Sequence, residues 1–85
     1  MPWDEVTAKR FGRALRRLRE DRCLSQEALA FRAGITKNQV QLIEAGRSSG
    51  RVDAPGCSNP RMSTLAGLAD VLSMPVSDLL EQADL

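Results

Sequence analysis

The sequence predicts an all-α domain, a compact five-helix bundle, and three observations carry that expectation. Apolar residues recur at spacings of three and four, no stretch alternates with the period of two of a half-buried strand, and Gly, Pro, Asn and Ser punctuate the periodic segments. At 85 residues the chain is expected to be a single domain spanning 1–85, just large enough to bury a core without disulfides or metal.

The first helix is expected from roughly Asp4 to Asp21. Phe11, Leu15 and Leu18 form its buried stripe, with Arg10, Arg13, Arg16, Arg17 and Arg19 around it. Asp4 and Glu5 suit its positive end, and Arg22 its negative end. Ser25 then caps a second helix, with Glu27 in the first turn and Leu29, Ala30 and Ala33 at helical spacing. Gln26 lies on the same side, and Gly34 supplies the left-handed stop. Thr36 caps a third helix whose inward residues are Val40 and Ile43, and Gly46 ends it. Lys37, Asn38, Gln41 and Leu42 lie on its opposite face. The unit of residues 25–45 is thus two short helices joined by a tight turn.

An extended loop over residues 46–62, containing RSSGRVDAPGCSNPRM, follows. Asn59 and Pro60 break the chain, Ser63 is expected to cap a fourth helix bearing Leu65, Leu68, Ala69 and Leu72, and Pro75 to open a fifth bearing Val76, Leu79 and Leu80. The expected core joins Phe11, Leu15 and Leu18 to Leu29, Ala30, Val40, Ile43, Leu65, Leu68, Leu72, Val76 and Leu79.

The outward row on the third helix has the chemistry of a major-groove reader. Amide side chains bond adenine through two hydrogen bonds, Lys bonds guanine, and an aliphatic group touches the thymine methyl. The opposing interpretation is that a polar face on a short helix is only solvated surface. The row alone favours this plain interpretation, and it is the register of the residues around it that reverses the choice. Charge is a separate signal. All 12 Lys and Arg fall in residues 1–61 against seven acids, a net of +5, whereas residues 62–85 carry four acids and no base, a net of −4. A basic front and an acidic back orient a domain on a polyanion while the total stays at +1.

The segment Leu24 to Gly46 resembles the lambda-repressor-like, or xenobiotic-response-element (XRE), family of helix-turn-helix transcriptional regulators. The family pattern is LSQ-x-x-LA-x-x-AG-[IV]-[ST]-x-x-x-[IV]-x-x-[IL]-E-x-G. The match runs through Leu24, Ser25, Gln26, Leu29, Ala30, Ala33, Gly34, Ile35, Thr36, Val40, Ile43, Glu44 and Gly46. The resemblance implies base-edge contacts from Lys37, Asn38, Gln41 and Leu42, a phosphate or base-edge contact from Gln26, and Thr36 holding the reading helix against the DNA backbone. Arg47, Arg51 and Arg61 of the long connection are placed to reach phosphate. It also implies a structural ion pair between Glu44 and Arg19.

Three departures stand out. Cys23 replaces the glycine that commonly closes the first helix, Leu42 occupies a position that is often polar, and Phe31 stands where a charge is usual. Phe31 is expected to pack under the long connection or, failing that, to mark a protein contact.

Function is therefore expected to be sequence-specific binding of double-stranded DNA by a small regulator, a repressor acting as a homodimer on an operator. The alternative is an antitoxin-like protein-interaction module with autoregulatory DNA binding, for which exposed Phe31 and Trp3 would speak. An enzyme is not expected. The chain has no His, no nucleophile–base spacing and no glycine-rich phosphate loop. Cys23 and Cys57 lie far apart without metal-ligand spacing, so neither a metal nor another cofactor is expected. No eighteen-residue apolar run or apolar leader occurs, which predicts a cytoplasmic protein without a membrane partner.

Overall fold

A computed structural model describes residues 3–48 and 56–85. The helices are α1 (Glu5–Asp21), α2 (Gln26–Ala33), α3 (Lys37–Ala45), α4 (Met62–Val71) and α5 (Val76–Glu81), and the described residues contain no strand. The chain is all-α, as its periodicity predicts.

The helix starts follow from side-chain caps in the first three helices. The Asp4 carboxylate accepts from the Thr7 amide at 2.9 Å, Ser25 Oγ from Ala28 at 3.0 Å, and Thr36 Oγ1 from Gln39 at 3.1 Å. Gln39 Oε1 accepts in return from the Thr36 amide at 2.8 Å, completing a reciprocal box at the start of α3. The Thr7 amide bond holds the Asp4 carboxyl below its usual pKa.

All five helices end alike, with an amide bonding the carbonyl five residues back: Leu24 to Arg19, Ile35 to Ala30, Arg47 to Leu42, Met74 to Ala69 and Leu85 to Leu80. This closure needs a left-handed residue just before the bonded amide. Gly34 and Gly46 provide it at φ 77° and 70°, but Cys23, Ser73 and Asp84 adopt φ of 55°, 59° and 62° with a side chain present. The first turn is therefore of the ordinary glycine-closed type, carried at Cys23 by a residue that pays strain for it.

Two boundaries differ from expectation. Ser63 does not cap α4, because the Leu65 amide already bonds the Arg61 carbonyl at 3.0 Å and closes the first turn ahead of it. Arg61 stands at the cap without a side-chain bond. Pro75 likewise sits at the cap of α5, one residue before the helix it was expected to open.

The core joins all the helices. Phe11, Leu15, Leu29, Val40, Leu68, Leu72 and Leu79 are completely enclosed, and Val76, expected among them, is only half-buried at the edge. α3 packs on α1 and α2, while α4 packs on α2 and α5. The α1–α3 approach is close because residue 12 is glycine. A Cβ there would lie 2.5 Å from the carbonyl oxygens of both Ile43 and Glu44.

Trp3, expected exposed, is half-buried: its ring sits 5.7 Å from that of Phe11 and its Nε1–H donates to the Ser58 carbonyl. Ser58 in turn donates its amide to Gly46 at 3.1 Å, and Arg47 bridges to Cys57. The base of the long connection is thereby tied both to the end of α3 and to the N-terminal segment. Phe31 does not pack under the connection, the first of the two expectations for it. It is 86% exposed, and no described residue covers it, because it lies on the side of α2 facing away from Leu29 and Ala30.

Candidate nucleic-acid interface

The position of α3 is fixed from its inner face outward. Val40 and Ile43 are buried, and Glu44, also facing inward, is 5% exposed in its side chain. Arg19 reaches it from α1 with two parallel bonds, Nε to Oε2 at 2.6 Å and Nη2 to Oε1 at 3.0 Å, and donates a third to the Leu24 carbonyl at 2.8 Å. Gln26, at the start of α2, donates Nε2 to Glu44 Oε1 at 3.0 Å. One carboxylate thus ties three helices at a point. The bonds that Arg19 donates to Glu44 push the Arg19 pKa up, against the desolvation that burial imposes. Fork geometry of this kind defines direction as well as distance.

With the inner face so held, the outer face is set. Lys37, Asn38 and Gln41 are exposed. Ala45, exposed one turn beyond Gln41, extends the same row; the sequence reading omitted it, although its spacing of four from Gln41 and seven from Asn38 carries the signal. Lys37 occupies the first position of α3, where the helix dipole disfavours a cation by about 0.3–1 kcal/mol. A locally unfavourable charge of this sort marks a residue with another purpose.

Clefts flank the row on both sides. One, of about 620 Å³, separates α3 from the connection and the start of α4, and Leu42, Arg47 and Arg61 all line it. Leu42 is half-buried there, on the rim of the row and not at its centre. The other cleft, of about 470 Å³, lies among α1, α2 and α3 and is lined by Arg16, Arg19, Ser25, Gln26, Glu27 and Lys37, three cations to one acid. Arg16 was not singled out as a contact from the sequence.

The remaining candidates divide by how firmly they are held. Thr36 is exposed, with its hydroxyl engaged as the α3 cap, and Gln26 is engaged with Glu44. Arg47 is half-buried and Arg61 exposed. Arg51 lies outside the described residues. The structure brings Lys37, Asn38, Gln41 and Leu42 onto one helix, with Gln26 at one side of it and Arg47 and Arg61 at the other.

This arrangement, a rigidly seated helix with an amide- and cation-bearing outer face between two cation-lined clefts, is suited chemically to a groove of stacked bases between phosphate ridges. No described helix is long and apolar enough to cross a membrane.

A family model described as "Helix-turn-helix domain" matches residues 10–82. No curated protein matches the chain. Among solved structures, the crystal structure of the clp gene regulator ClgR from Corynebacterium glutamicum superposes with a TM-score of 0.75 at 23% sequence identity, covering 92% of this chain and 72% of that one. At that identity the likeness is one of fold.

Proposed function

The chain belongs to the helix-turn-helix domain family, and on that premise we propose that it binds double-stranded DNA sequence-specifically as a small cytoplasmic transcriptional regulator. It acts as a homodimer that represses by occupying an operator. The observation that carries this reading is the row Lys37, Asn38 and Gln41, exposed on a helix whose opposite face is fixed by the Arg19–Glu44–Gln26 bonds.

α3 lies in the major groove. Asn38 and Gln41 each bond an adenine edge, Lys37 bonds a guanine, and Leu42 and Ala45 meet thymine methyl groups. Gln26 and Thr36 hold the start of α2 and of α3 near one phosphate ridge, while Arg47 and Arg61 hold the other; these contacts give register and affinity without sequence information. A single domain of this size covers limited DNA surface. Specific affinity then comes from a two-fold pair on half-sites about 34 Å apart. A role in gene regulation also fits the printed description of the structural neighbour as a gene regulator.

Selection of bound duplexes from a random pool tests the reading. Enrichment of a two-fold symmetric motif is expected, and a pool that stays random after repeated rounds contradicts it.

One observation favours a second reading, an antitoxin-like module whose main partner is a protein: Phe31 is 86% exposed on α2. A stably co-purifying partner that is released by Phe31→Ser would move this reading to first place.

A further inference from the structure

The N-terminal segment meets the connection after α3 at Ser58. This residue, 5% exposed, is held at both backbone groups: its amide donates to the Gly46 carbonyl at 3.1 Å, and its carbonyl accepts from Trp3 Nε1–H. Gly46 ends α3, and the next residues on either strand of the contact, Arg47 and Cys57, form an antiparallel bridge. The start of α1 closes on the same point, since a Cβ on Gly46 would lie 2.9 Å from Lys9 Cγ. The end of α3, the returning connection and the residues before α1 are thus joined through the backbone of Gly46 and Ser58.

Trp3 is itself firmly seated. Its ring packs on the core and stands 5.7 Å from that of Phe11, tilted by 60°, and Phe11 is completely enclosed. An indole placed in this way buries its body against apolar surface while its N–H finds an acceptor. The acceptor here belongs to the connection, 55 residues away in the chain. Arg47 directly follows Gly46, and Arg61 follows Ser58 after two residues, so the held point falls between the two cations that share the wall of the cleft beside α3. Trp3 lines neither cleft flanking α3 and reaches that wall through Ser58.

We propose that Trp3 is a positioning residue for DNA binding, which holds the connection so that Arg47 and Arg61 are already placed for one phosphate ridge. A cation on a segment that must be ordered on contact gives up part of its binding free energy to that ordering, and a segment held beforehand keeps it. The reading row does not depend on this hold, because Arg19, Glu44 and Gln26 fix α3 from its inner face. Loss of the Trp3 bond therefore weakens the phosphate grip and leaves base preference as it was. The proposal rests on the DNA-binding reading above and adds to it a residue that the contact surface itself does not contain.

Trp3→Phe keeps a ring against Phe11 and removes the Nε1–H. In the whole chain without DNA, amide hydrogen exchange at Ser58 is expected to quicken in this variant. With DNA, binding to matched and scrambled duplexes is measured for the parent, Trp3→Phe, an Arg47→Ala/Arg61→Ala variant, and the chain carrying all three substitutions. One neutral hydrogen bond corresponds to a factor of about two to ten, so Trp3→Phe should weaken both duplexes to that extent and preserve the ratio between them. In the absence of both arginines it should weaken them no further, whereas a merely structural role would cost the same in either background. Helical circular dichroism at the temperature of measurement shows that each variant is folded. Unchanged exchange at Ser58, unchanged affinity in Trp3→Phe, a loss confined to the matched duplex, or an equal loss with and without the two arginines would each overturn the proposal. A parent that binds neither duplex removes the DNA-binding reading itself, and the proposal with it; the other outcomes are read in a parent that binds.

Discussion

The Glu44 side chain, 5% exposed, accepts from Arg19 through both oxygens and from Gln26 through one. Glu44→Ala leaves the Arg19 guanidinium charged and largely buried, a loss expected to cost about 3–5 kcal/mol. Arg19→Lys keeps the charge but not the two parallel bonds, so a drop in the urea midpoint is expected there as well. A midpoint unchanged in both variants would mean that the pair does not hold α3.

Asp4 gives a pH-dependent counterpart. Its carboxyl is held below the usual pKa, chiefly by the Thr7 amide, so its contribution is complete above the unfolded-state pKa and is lost as pH falls through the lowered folded value. Asp4→Asn keeps an acceptor for the cap without titrating, and it should flatten the acid limb of the stability curve below about pH 4. An acid limb as steep as the parent's would assign the titration elsewhere.

Among the helices, the tightest constraint is the contact of α1 with α3. Gly12→Ala improves helix propensity, yet its Cβ would meet two backbone carbonyls at 2.5 Å. A net loss of about 1–3 kcal/mol is expected from the shift this forces, with the midpoint of thermal unfolding as the readout. A stabilised variant would show that α1 stands farther from α3.

Cys23→Gly should go the other way. It removes the strain of a side chain at φ 55°, less the entropy that glycine costs, for a gain of up to about 1 kcal/mol. A loss of stability there would show that the turn after α1 does not need its left-handed residue.

Much of this level was legible in the sequence. The caps at Ser25 and Thr36 and the stops at Gly34 and Gly46 belong to residues whose local chemistry dictates the backbone, whereas Asp4, expected as an acid in the first turn, proves to be the cap itself. Ser63 was misleading because its cap competes with a turn that packing closes earlier, and Trp3 was misleading because its partners, Phe11 and Ser58, include one 55 residues away in the chain.

For the whole molecule, one core spans the helices, so truncation deep within it should be felt globally. Leu68 is completely enclosed, and Leu68→Ala is expected to cost about 2–5 kcal/mol in a single cooperative unfolding transition. The outer face of α3 was legible because helical spacing alone separates Val40 and Ile43 from Lys37, Asn38 and Gln41. What surrounds that face was not. That Leu42 sits on a cleft rim and that Arg47 and Arg61 share its wall depend on where the two ends of the connection meet α3 and α4, and Phe31 stays uncovered because its side of α2 faces away from the core.

The account stands on α3 reading bases while the connection grips phosphate, and binding to matched and scrambled duplexes across a range of salt separates these roles. Asn38→Ala and Gln41→Ala should each lose about 1–3 kcal/mol on the matched duplex alone and relax the preference at one base pair. Arg47→Ala should weaken both duplexes alike and reduce the salt slope by about one unit. If the Asn38 and Gln41 variants bind both duplexes as the parent does, α3 is not the reading helix.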